Sequence, residues 1–174
     1  MAALDPTLDG SAAKSPFVTL LEIEEVVLGL PQNEIDSLEP VLDLGPGRES
    51  GSVGSVRHGR EVWPVYCLSP DLVLLDYAPT TRRICVLLKD GDRRIGIVVD
   101  QVGNVRRETL QLFPRSGAIA RLPPPIRAFA QWNQRLVCLT SASSLAGFVR
   151  RQSGGSWIES EETASSASRY ADVH

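Results

Sequence analysis

The chain has few of the residues that build metal and catalytic sites. Of its 174 residues only two are histidines, His58 and His174, and the three cysteines, Cys67, Cys85 and Cys138, lie far apart. They form no CxxC pair and no Cys/His cluster, whereas a zinc site usually takes four closely placed ligands. The sequence therefore predicts no metal site, and the apolar surroundings of the cysteines favour free thiols in a reducing compartment.

Long hydrophobic runs and a surplus of positive charge are also missing. No apolar stretch approaches the roughly 20 residues that a membrane-spanning helix needs. Residues 1–15 lack the basic and apolar regions of a signal peptide, so we expect a cytoplasmic protein with no direct membrane insertion. The formal net charge of −3 argues against nucleic-acid binding, which usually requires a strongly basic surface.

No set of residues forms a recognisable catalytic site. Covalent catalysis needs a nucleophile beside a base that a third group orients, and the one internal histidine, His58, lies next to a glycine in an apparent turn. Residues 45–54 are glycine-rich but lack the Gly-Lys-Ser/Thr ending of a phosphate-binding loop. Residues 90–92 lack the other ligands of a calcium loop. We therefore expect no catalytic residue and no cofactor.

Positive charge is carried almost entirely by arginine, with 16 arginines and 2 lysines in the chain. Four pairs of arginines are adjacent in sequence, at 82–83, 93–94, 106–107 and 150–151. Such pairs are usually solvated strand ends. The alternative is a surface that binds an anionic partner.

The most informative segment is the apolar run RIGIVVDQV at residues 94–102. Its length and its β-branched residues predict a strand that is covered on both faces. Residues 84–88 have the same character, and the residues between the two runs predict a hairpin turn, because Gly91 tolerates positive φ. Asp100 closes the second run and is expected to accept hydrogen bonds from nearby backbone amides. Together these features predict a small all-β core that serves binding.

Other elements follow from local patterns. Further strands are predicted at residues 17–23, 26–30, 54–68 (a hairpin that turns near 57–60) and 135–140. Ser141 is predicted to cap a helix that runs through Val149. Three segments are ambiguous: 35–42 is a short helical turn or a bent segment, 72–77 a strand or a packed loop, and 109–113 a short helix or an extended segment.

Composition divides the chain into three parts. Residues 1–15 are predicted to be a flexible tail, 16–151 one folded domain, and 152–174 a polar tail rich in Ser, Gly, Ala and Glu. Trp157 and Ile158 interrupt the second tail. We expect these two residues either to dock on the domain or to belong to a disordered tail. The alternative is that they form a short recognition segment.

The order of these elements resembles the CheW family, the coupling proteins of bacterial chemosensory arrays. The resemblance covers residues 17–149. Its most specific part is 95–102, which is similar to the family's strand "(V/I)G(I/L)(V/L)VD.V", and 110–114 is similar to the segment that follows that strand. The remaining matches are at 24–31, at Gly54 and Pro64 (ten residues apart, as in the family's hairpin "G..NLRG...P"), at 135–139 and at Leu145.

The resemblance implies an all-β fold of two small five-stranded β-barrel lobes, packed side by side, with a short C-terminal helix. It implies a non-enzymatic adaptor that links the cytoplasmic tip of a chemoreceptor, a helical hairpin, to the similarly folded regulatory domain of a CheA-type histidine kinase. A groove between the lobes would take a helix face, and barrel ends would meet the kinase.

Two alternatives stay open. One is a scaffold of the same fold in a type IV pilus or other non-flagellar chemosensory pathway, and the other is a small β-barrel enzyme or ligand-binding protein.

The resemblance also implies an interface with receptor or kinase, and it shows where the chain departs from the family. The implied interface residues are Ile35, Arg57, His58, Arg60, Val99, Asp100 and Val102. The family hairpin carries an Arg-Gly pair that engages partners, whereas this chain has Gly59-Arg60 at those positions. Cys67 replaces the aspartate that usually follows the strand after Pro64. We therefore expect a divergent member of the family.

Overall fold

The computed structural model of the chain describes residues 15–114 and 122–154. Most of the two predicted tails, including Trp157 and Ile158, falls outside the described residues; of the second tail only 152–154 is described, and Gln152 is the last residue of the helix. Within them the chain forms twelve strands, one α-helix and single 3-10 turns at Gln32–Glu34, Val41–Asp43 and Arg107–Thr109. The elements are β1 (Phe17–Ile23), β2 (Val26–Pro31), β3 (Ile35–Pro40), β4 (Gly54–His58), β5 (Glu61–Leu68), β6 (Leu74–Leu75), β7 (Ile84–Asp90), β8 (Arg93–Val99), β9 (Gln101–Arg106), β10 (Gln111–Leu112), β11 (Ala128–Trp132), β12 (Arg135–Leu139) and α1 (Ala142–Gln152).

The strands form two sheets, which we call the first and the second lobe. The first lobe has the order β10-β11-β12-β2-β1-β9, and the second has the order β3-β7-β8-β5-β4 with β6 added to β5. Each lobe contains five strands of at least five residues and a sixth strand of only two residues. The predicted all-β fold of two lobes with a short closing helix is therefore confirmed.

Both sheets curl until their edges approach. In the second lobe Gly45, just beyond β3, exchanges two backbone hydrogen bonds of 2.7 and 3.0 Å with Ser55 on β4. In the first lobe the edge strands β9 and β10 are separated only by the turn Arg107–Thr109 and one further residue. This curling leaves few unpaired strand edges open to other chains.

The strands at the centre of the fold are apolar on both faces because each separates two cores. On β8, Ile95, Ile97 and Val99 face a core shared by the two lobes, whereas Val98 faces the interior of the second lobe. Side chains alternate between the faces of a strand, so β8 can have no polar residue between Ile95 and Val99. The prediction of a strand covered on both faces is confirmed for this part of the run.

The helix α1 closes the shared core. It buries Leu145 and Val149 there, and the hydroxyl of Ser141 accepts a hydrogen bond from the amide of Ser144 at 3.1 Å, which confirms the predicted cap. None of the described helices has the length and apolar content needed to cross a bilayer.

A glycine lies in each of the two parallel strand pairs of the described sheets, β2 with β12 and β5 with β8. A Cβ atom added at Gly29 on β2 would lie 2.9 Å from Cδ2 of Leu139. A Cβ atom added at Gly96 on β8 would lie 2.8 Å from Sγ of Cys85 and 2.9 Å from Cγ2 of Val65. At both positions a side chain would enter space that a neighbouring strand already fills.

Two predicted elements differ from the structure. Of the segment 35–42, residues 35–40 form the strand β3, which pairs along β7 from Ile35 (with Leu88) to Pro40 (with Ile84) with a bulge between Ile35 and Ser37, and only the turn at Val41–Asp43 is helical. The run 94–102 is not one strand, since β8 ends at Val99 and β9 begins at Gln101 in the other lobe.

Three further segments are now defined. The ambiguous segment 72–77 contains the two-residue strand β6, and 109–113 contains the extended β10. Strand β11 was not predicted. It is half-buried and follows three prolines, so neither its apolar pattern nor its flanking residues indicate a strand.

Candidate protein-interaction surface

The predicted interface residues fall into two groups near opposite ends of β8, which spans about 20 Å for its seven residues. One group lies where the β4–β5 and β7–β8 hairpins turn, since Ile35 pairs with Leu88 and β5 runs parallel to β8. It consists of Ile35, Arg57, His58 and Arg60, and together with the neighbouring Asp36 we call it the hairpin-end surface. The other group, Val99, Asp100 and Val102, lies where the chain crosses to the first lobe.

His58 joins the two edge strands of the second lobe at the hairpin end. Its Nε2 lies 2.9 Å from Oδ2 of Asp36, and its Nδ1 lies 3.8 Å from Oε1 of Glu39, both on β3. Its ring also makes an edge contact with Trp63, with 5.2 Å between the ring centroids. The structure thus brings His58 beside the strand that starts at Ile35, and the histidine helps to close the lobe.

We expect the contact between His58 and Asp36 to contribute little to stability. The His58 side chain is 41% exposed, and ion pairs open to solvent contribute about 0.2–1 kcal/mol. A double-mutant cycle with His58→Ala and Asp36→Ala, measured by urea denaturation, should give a coupling free energy below about 1 kcal/mol. A coupling above about 2 kcal/mol would instead make this pair a main contact of the closed lobe.

The order Gly59-Arg60 follows from the geometry of the β4–β5 turn. Gly59 has a φ of 65°, which a residue with a side chain rarely adopts. An arginine at position 59 would be strained, so the arginine is found at the next position, as Arg60. Arg57 and Arg60 are both exposed, and the hairpin end therefore presents two positive side chains to solvent.

Ile35 and Val102 occupy comparable positions at the rim of the shared core. Each is half-buried and packs against that core, Ile35 from the edge strand β3 and Val102 from the edge strand β9. Each leaves part of its apolar side chain open to a partner. Val99 differs, because it is fully buried in the shared core and cannot touch a partner directly. The prediction that Val99 contacts a partner is therefore wrong.

Asp100 holds the first lobe against the second. Its Oδ2 accepts a hydrogen bond of 2.6 Å from the amide of Glu24, and its own amide donates to the carbonyl of Glu22 at 2.8 Å. The predicted role of Asp100 as an acceptor for backbone amides is confirmed.

Arg82 lies beside Asp100 and was not predicted to matter. The sequence suggested a solvated pair at 82–83, but the side chain of Arg82 is completely buried while Arg83 is exposed. Its Nη1 donates to Sγ of Cys67 at 3.0 Å and to the carbonyl oxygen of Leu68, at the end of β5. No local pattern distinguishes the two arginines, so the sequence gives no signal for this burial.

A cleft of about 350 Å³ lies beside the hairpin end. Its wall includes Glu49, Glu61, Asp92 and Tyr66, and no histidine. Burial, together with the charge of Glu49, to which the Tyr66 hydroxyl donates at 3.2 Å, raises the pKa of Tyr66 to about 12. A tyrosine with that pKa stays protonated near neutrality. Among the described residues no group of three His, Cys, Asp or Glu side chains is arranged to hold a metal ion.

The family model of the CheW-like domain matches residues 18–148, from β1 to the middle of α1. The chain belongs to the CheW-like domain family. The match includes both lobes, the hairpin-end surface and the crossover, so the surfaces described above lie within the CheW-like domain. The family places the chain among the scaffolds and adaptors of chemotaxis signalling.

A solved structure supports the CheW-like fold. The scaffolding protein TtCheW from Thermoanaerobacter tengcongensis matches with a TM-score of 0.53 at 13% sequence identity, over 72% of this chain and 88% of that chain. At this identity the likeness shows the fold alone. No curated protein sequence matches the chain significantly.

Proposed function

We propose that this CheW-like chain is a cytoplasmic, non-enzymatic adaptor that couples chemoreceptors to a CheA-type histidine kinase. The observation that carries the proposal is the CheW-like domain match over 18–148, which takes in both lobes.

We assign the helical tip of the receptor to the groove between the lobes. Ile35 and Val102 supply apolar surface at its rim, and both sit on the shared core, which fixes their positions. An amphipathic helix binds such a groove through apolar side chains one turn apart. Each contact is weak, but an ordered array raises the effective concentration of the partners.

We assign the regulatory domain of the kinase to the polar part of the hairpin-end surface, Arg57, His58 and Arg60, at one end of the second lobe, whereas Ile35 is assigned to the receptor. Arg57 and Arg60 are exposed there, and exposed charges at the rim of an interface mainly set association rate and orientation. A complementary acidic patch on the kinase would meet them.

The double variant Arg57→Glu, Arg60→Glu is expected to weaken binding to the kinase regulatory domain about tenfold at low salt, because both charges change sign. The melting temperature should stay within about 2 °C of the parent, since both side chains are exposed. The measurement is calorimetric titration at two salt concentrations, with receptor binding as a second readout.

The matched control is Arg83→Glu, Arg151→Glu, which reverses two exposed arginines outside the hairpin-end surface. We expect the control to bind the kinase domain as the parent does. An equal loss in both double variants would contradict the assignment of the kinase to this surface, and so would unchanged binding of the first.

Titrating the full chain with a receptor-tip fragment and with a kinase regulatory domain tests the function itself. Binding to both in the micromolar range is the expected result. Absence of binding to either partner at high micromolar concentration would overturn the proposal.

A second candidate is a scaffold in a type IV pilus or other non-flagellar pathway. The observations that favour it are the order Gly59-Arg60 and the presence of Cys67 where the family usually has aspartate. Expression in a chemotactic strain that lacks its own CheW separates the candidates. Full restoration of swimming behaviour would argue against a specialised pathway.

A further inference from the structure

The cleft beside the hairpin end exposes the outer end of the shared core. Tyr66 and Ile95 lie in its wall and belong to that core. Val62 is on the same face of β5 as Tyr66, because side chains alternate along a strand, yet it is 45% exposed. Pro64, between them, is half-buried. The apolar face of the shared core therefore continues into the cleft, where it ends in a valine that is open to solvent.

Two arginines at the edge of this apolar surface are available to an acidic partner. Arg150, near the end of α1, lines the cleft and forms no ion pair within the part of the chain that the structure describes. Arg57 is exposed and lies on β4 directly opposite Val62. Residues that are opposite in a strand pair share a face of the sheet and lie about 5 Å apart. A segment that covers Val62 therefore comes within reach of Arg57.

Three carboxylates also line the cleft, and two of them already have a partner. Oε2 of Glu61 lies 3.2 Å from Nε of Arg94, and Oε2 of Glu49 accepts a hydrogen bond of 3.2 Å from the hydroxyl of Tyr66. The third, Asp92, is exposed in the β7–β8 turn. Because the cleft contains acids as well as arginines, apolar contact must supply most of the attraction for any segment that binds there.

The described chain ends beside the same cleft. The side chain of Gln152 makes two hydrogen bonds of 2.9 Å to backbone groups just before and within β6, which fixes the end of α1. A Cβ atom added at Gly51 would lie 2.9 Å from Cβ of Ser153, and Gly51 is two residues from Glu49 in the cleft wall. The chain therefore passes Gly154 next to that wall.

The sequence after Gly154 contains the residue types that the cleft can bind. Residues 155–156 are glycine and serine, Trp157 and Ile158 follow, and three of the next four residues are glutamates. Trp157 is three residues from Gly154, a reach of about 10 Å. A tether this short gives an effective concentration on the order of millimolar, so a weak contact is enough. A tryptophan buries about 150–250 Å², which makes it a suitable cover for the exposed end of the core.

We propose that residues 157–162 dock in the cleft of their own chain. Trp157 covers Val62, and the glutamates that follow approach Arg57 and Arg150. Arg57 also belongs to the hairpin-end surface, so the docked segment is an internal competitor of an acidic kinase surface. This competition rests on the function proposed above, whereas the docking itself does not.

Trp157→Ser is expected to release the segment, because serine has no apolar surface to cover the core. Nuclear magnetic resonance of the isotope-labelled full chain measures this. The backbone order parameter at Ile158 should fall from near 0.85, as in rigid backbone, to below about 0.6, and the amide signals of Val62 and Ile95 should shift. The matched control is Tyr170→Ser, which removes an aromatic residue from the same tail and should change neither. An order parameter below about 0.6 at Ile158 in the parent would overturn the docking.

Val62→Asp tests the cleft from the other side. The aspartate removes the apolar contact and places a negative charge between the glutamates and Arg57, so the order parameter at Ile158 should fall as it does in Trp157→Ser. The fold should be kept, since Val62 is 45% exposed. The control is Val73→Asp, which makes the same change at a valine that is 53% exposed and outside the cleft. An unchanged order parameter in Val62→Asp, or an equal fall in both variants, would overturn the assignment to this cleft.

Dilution identifies which copy of the chain fills the cleft. Docking within one chain does not depend on protein concentration, so the order parameter at Ile158 should stay the same when the sample is diluted about twentyfold. A fall on dilution would place the tail of a second copy in the cleft and overturn the intramolecular docking.

Binding to the kinase regulatory domain separates this inference from the proposed function. Trp157→Ser should bind that domain about threefold more tightly than the parent, because Arg57 is no longer covered for part of the time, and Tyr170→Ser should bind as the parent does. A released segment with unchanged affinity would overturn the competition. A docked segment in the parent, with no kinase binding by the parent or by Trp157→Ser, would support the docking and contradict the adaptor function.

Discussion

Val98→Asp is expected to unfold the second lobe. Val98 is completely buried, and its side chain faces the lobe interior together with Val65 and Leu87. An aspartate there would bury a charge among apolar side chains at a cost of several kcal/mol. That cost is comparable to the whole stability of a typical domain, about 5–15 kcal/mol. Far-ultraviolet circular dichroism and limited proteolysis at 25 °C should report loss of the native fold.

The control for Val98→Asp is Val73→Asp, which makes the same chemical change where the side chain is 53% exposed. It should change the free energy of unfolding by no more than about 0.5 kcal/mol. If Val98→Asp melted at the same temperature as the parent, β8 could not be the central strand described here.

Gly96→Val is expected to have the second largest effect, a loss of about 3 kcal/mol or more in the free energy of unfolding. A Cβ atom at this position would lie 2.8 to 3.2 Å from side-chain atoms of Cys85, Val65 and Leu87. Overpacking a core usually costs about 1–3 kcal/mol. Valine adds two methyl groups beyond the Cβ, and the side chains of the two strands that flank β8 would have to move, so we expect the upper end of that range or beyond. Urea denaturation measures the change.

Gly103→Val is the control for Gly96→Val. Gly103 lies on β9, and a Cβ atom there would have no neighbour within 4 Å. Valine favours strands and glycine does not, so this variant should be neutral or slightly more stable than the parent. Equal losses at the two glycines would show that the effect comes from strand conformation and not from packing.

Local patterns predicted the strands whose side chains are uniformly buried. β1, β2, β7 and β8 are rich in β-branched and leucine residues, and turn residues separate the hairpins. The pattern did not reveal β3 or β11, because each is only half-buried along its length. Such strands are identified by their neighbours in the sheet, which come from distant parts of the chain.

The candidate interface was only partly predictable for a related reason. Arg57, His58 and Arg60 are close in sequence and share a hairpin, so their proximity in space was expected. Their proximity to Ile35 depends on closure of the second lobe, which the sequence does not display. Val99 was wrongly assigned to the interface because the residues of a strand that is buried on both faces are all apolar. Their sequence does not show which of them reach the surface.

The path of the chain between the lobes has a consequence for synthesis on the ribosome. The second lobe uses a continuous segment, 35–99, whereas β1 and β2 must pair with β9 and β12, which are made much later. At about 5–20 residues per second, translation of the intervening segment takes on the order of 10 s. During that interval the nascent β1–β2 hairpin has both outer edges exposed while the second lobe is still being translated. The hairpin can therefore pair with strands of other chains until β9 and β12 have been made.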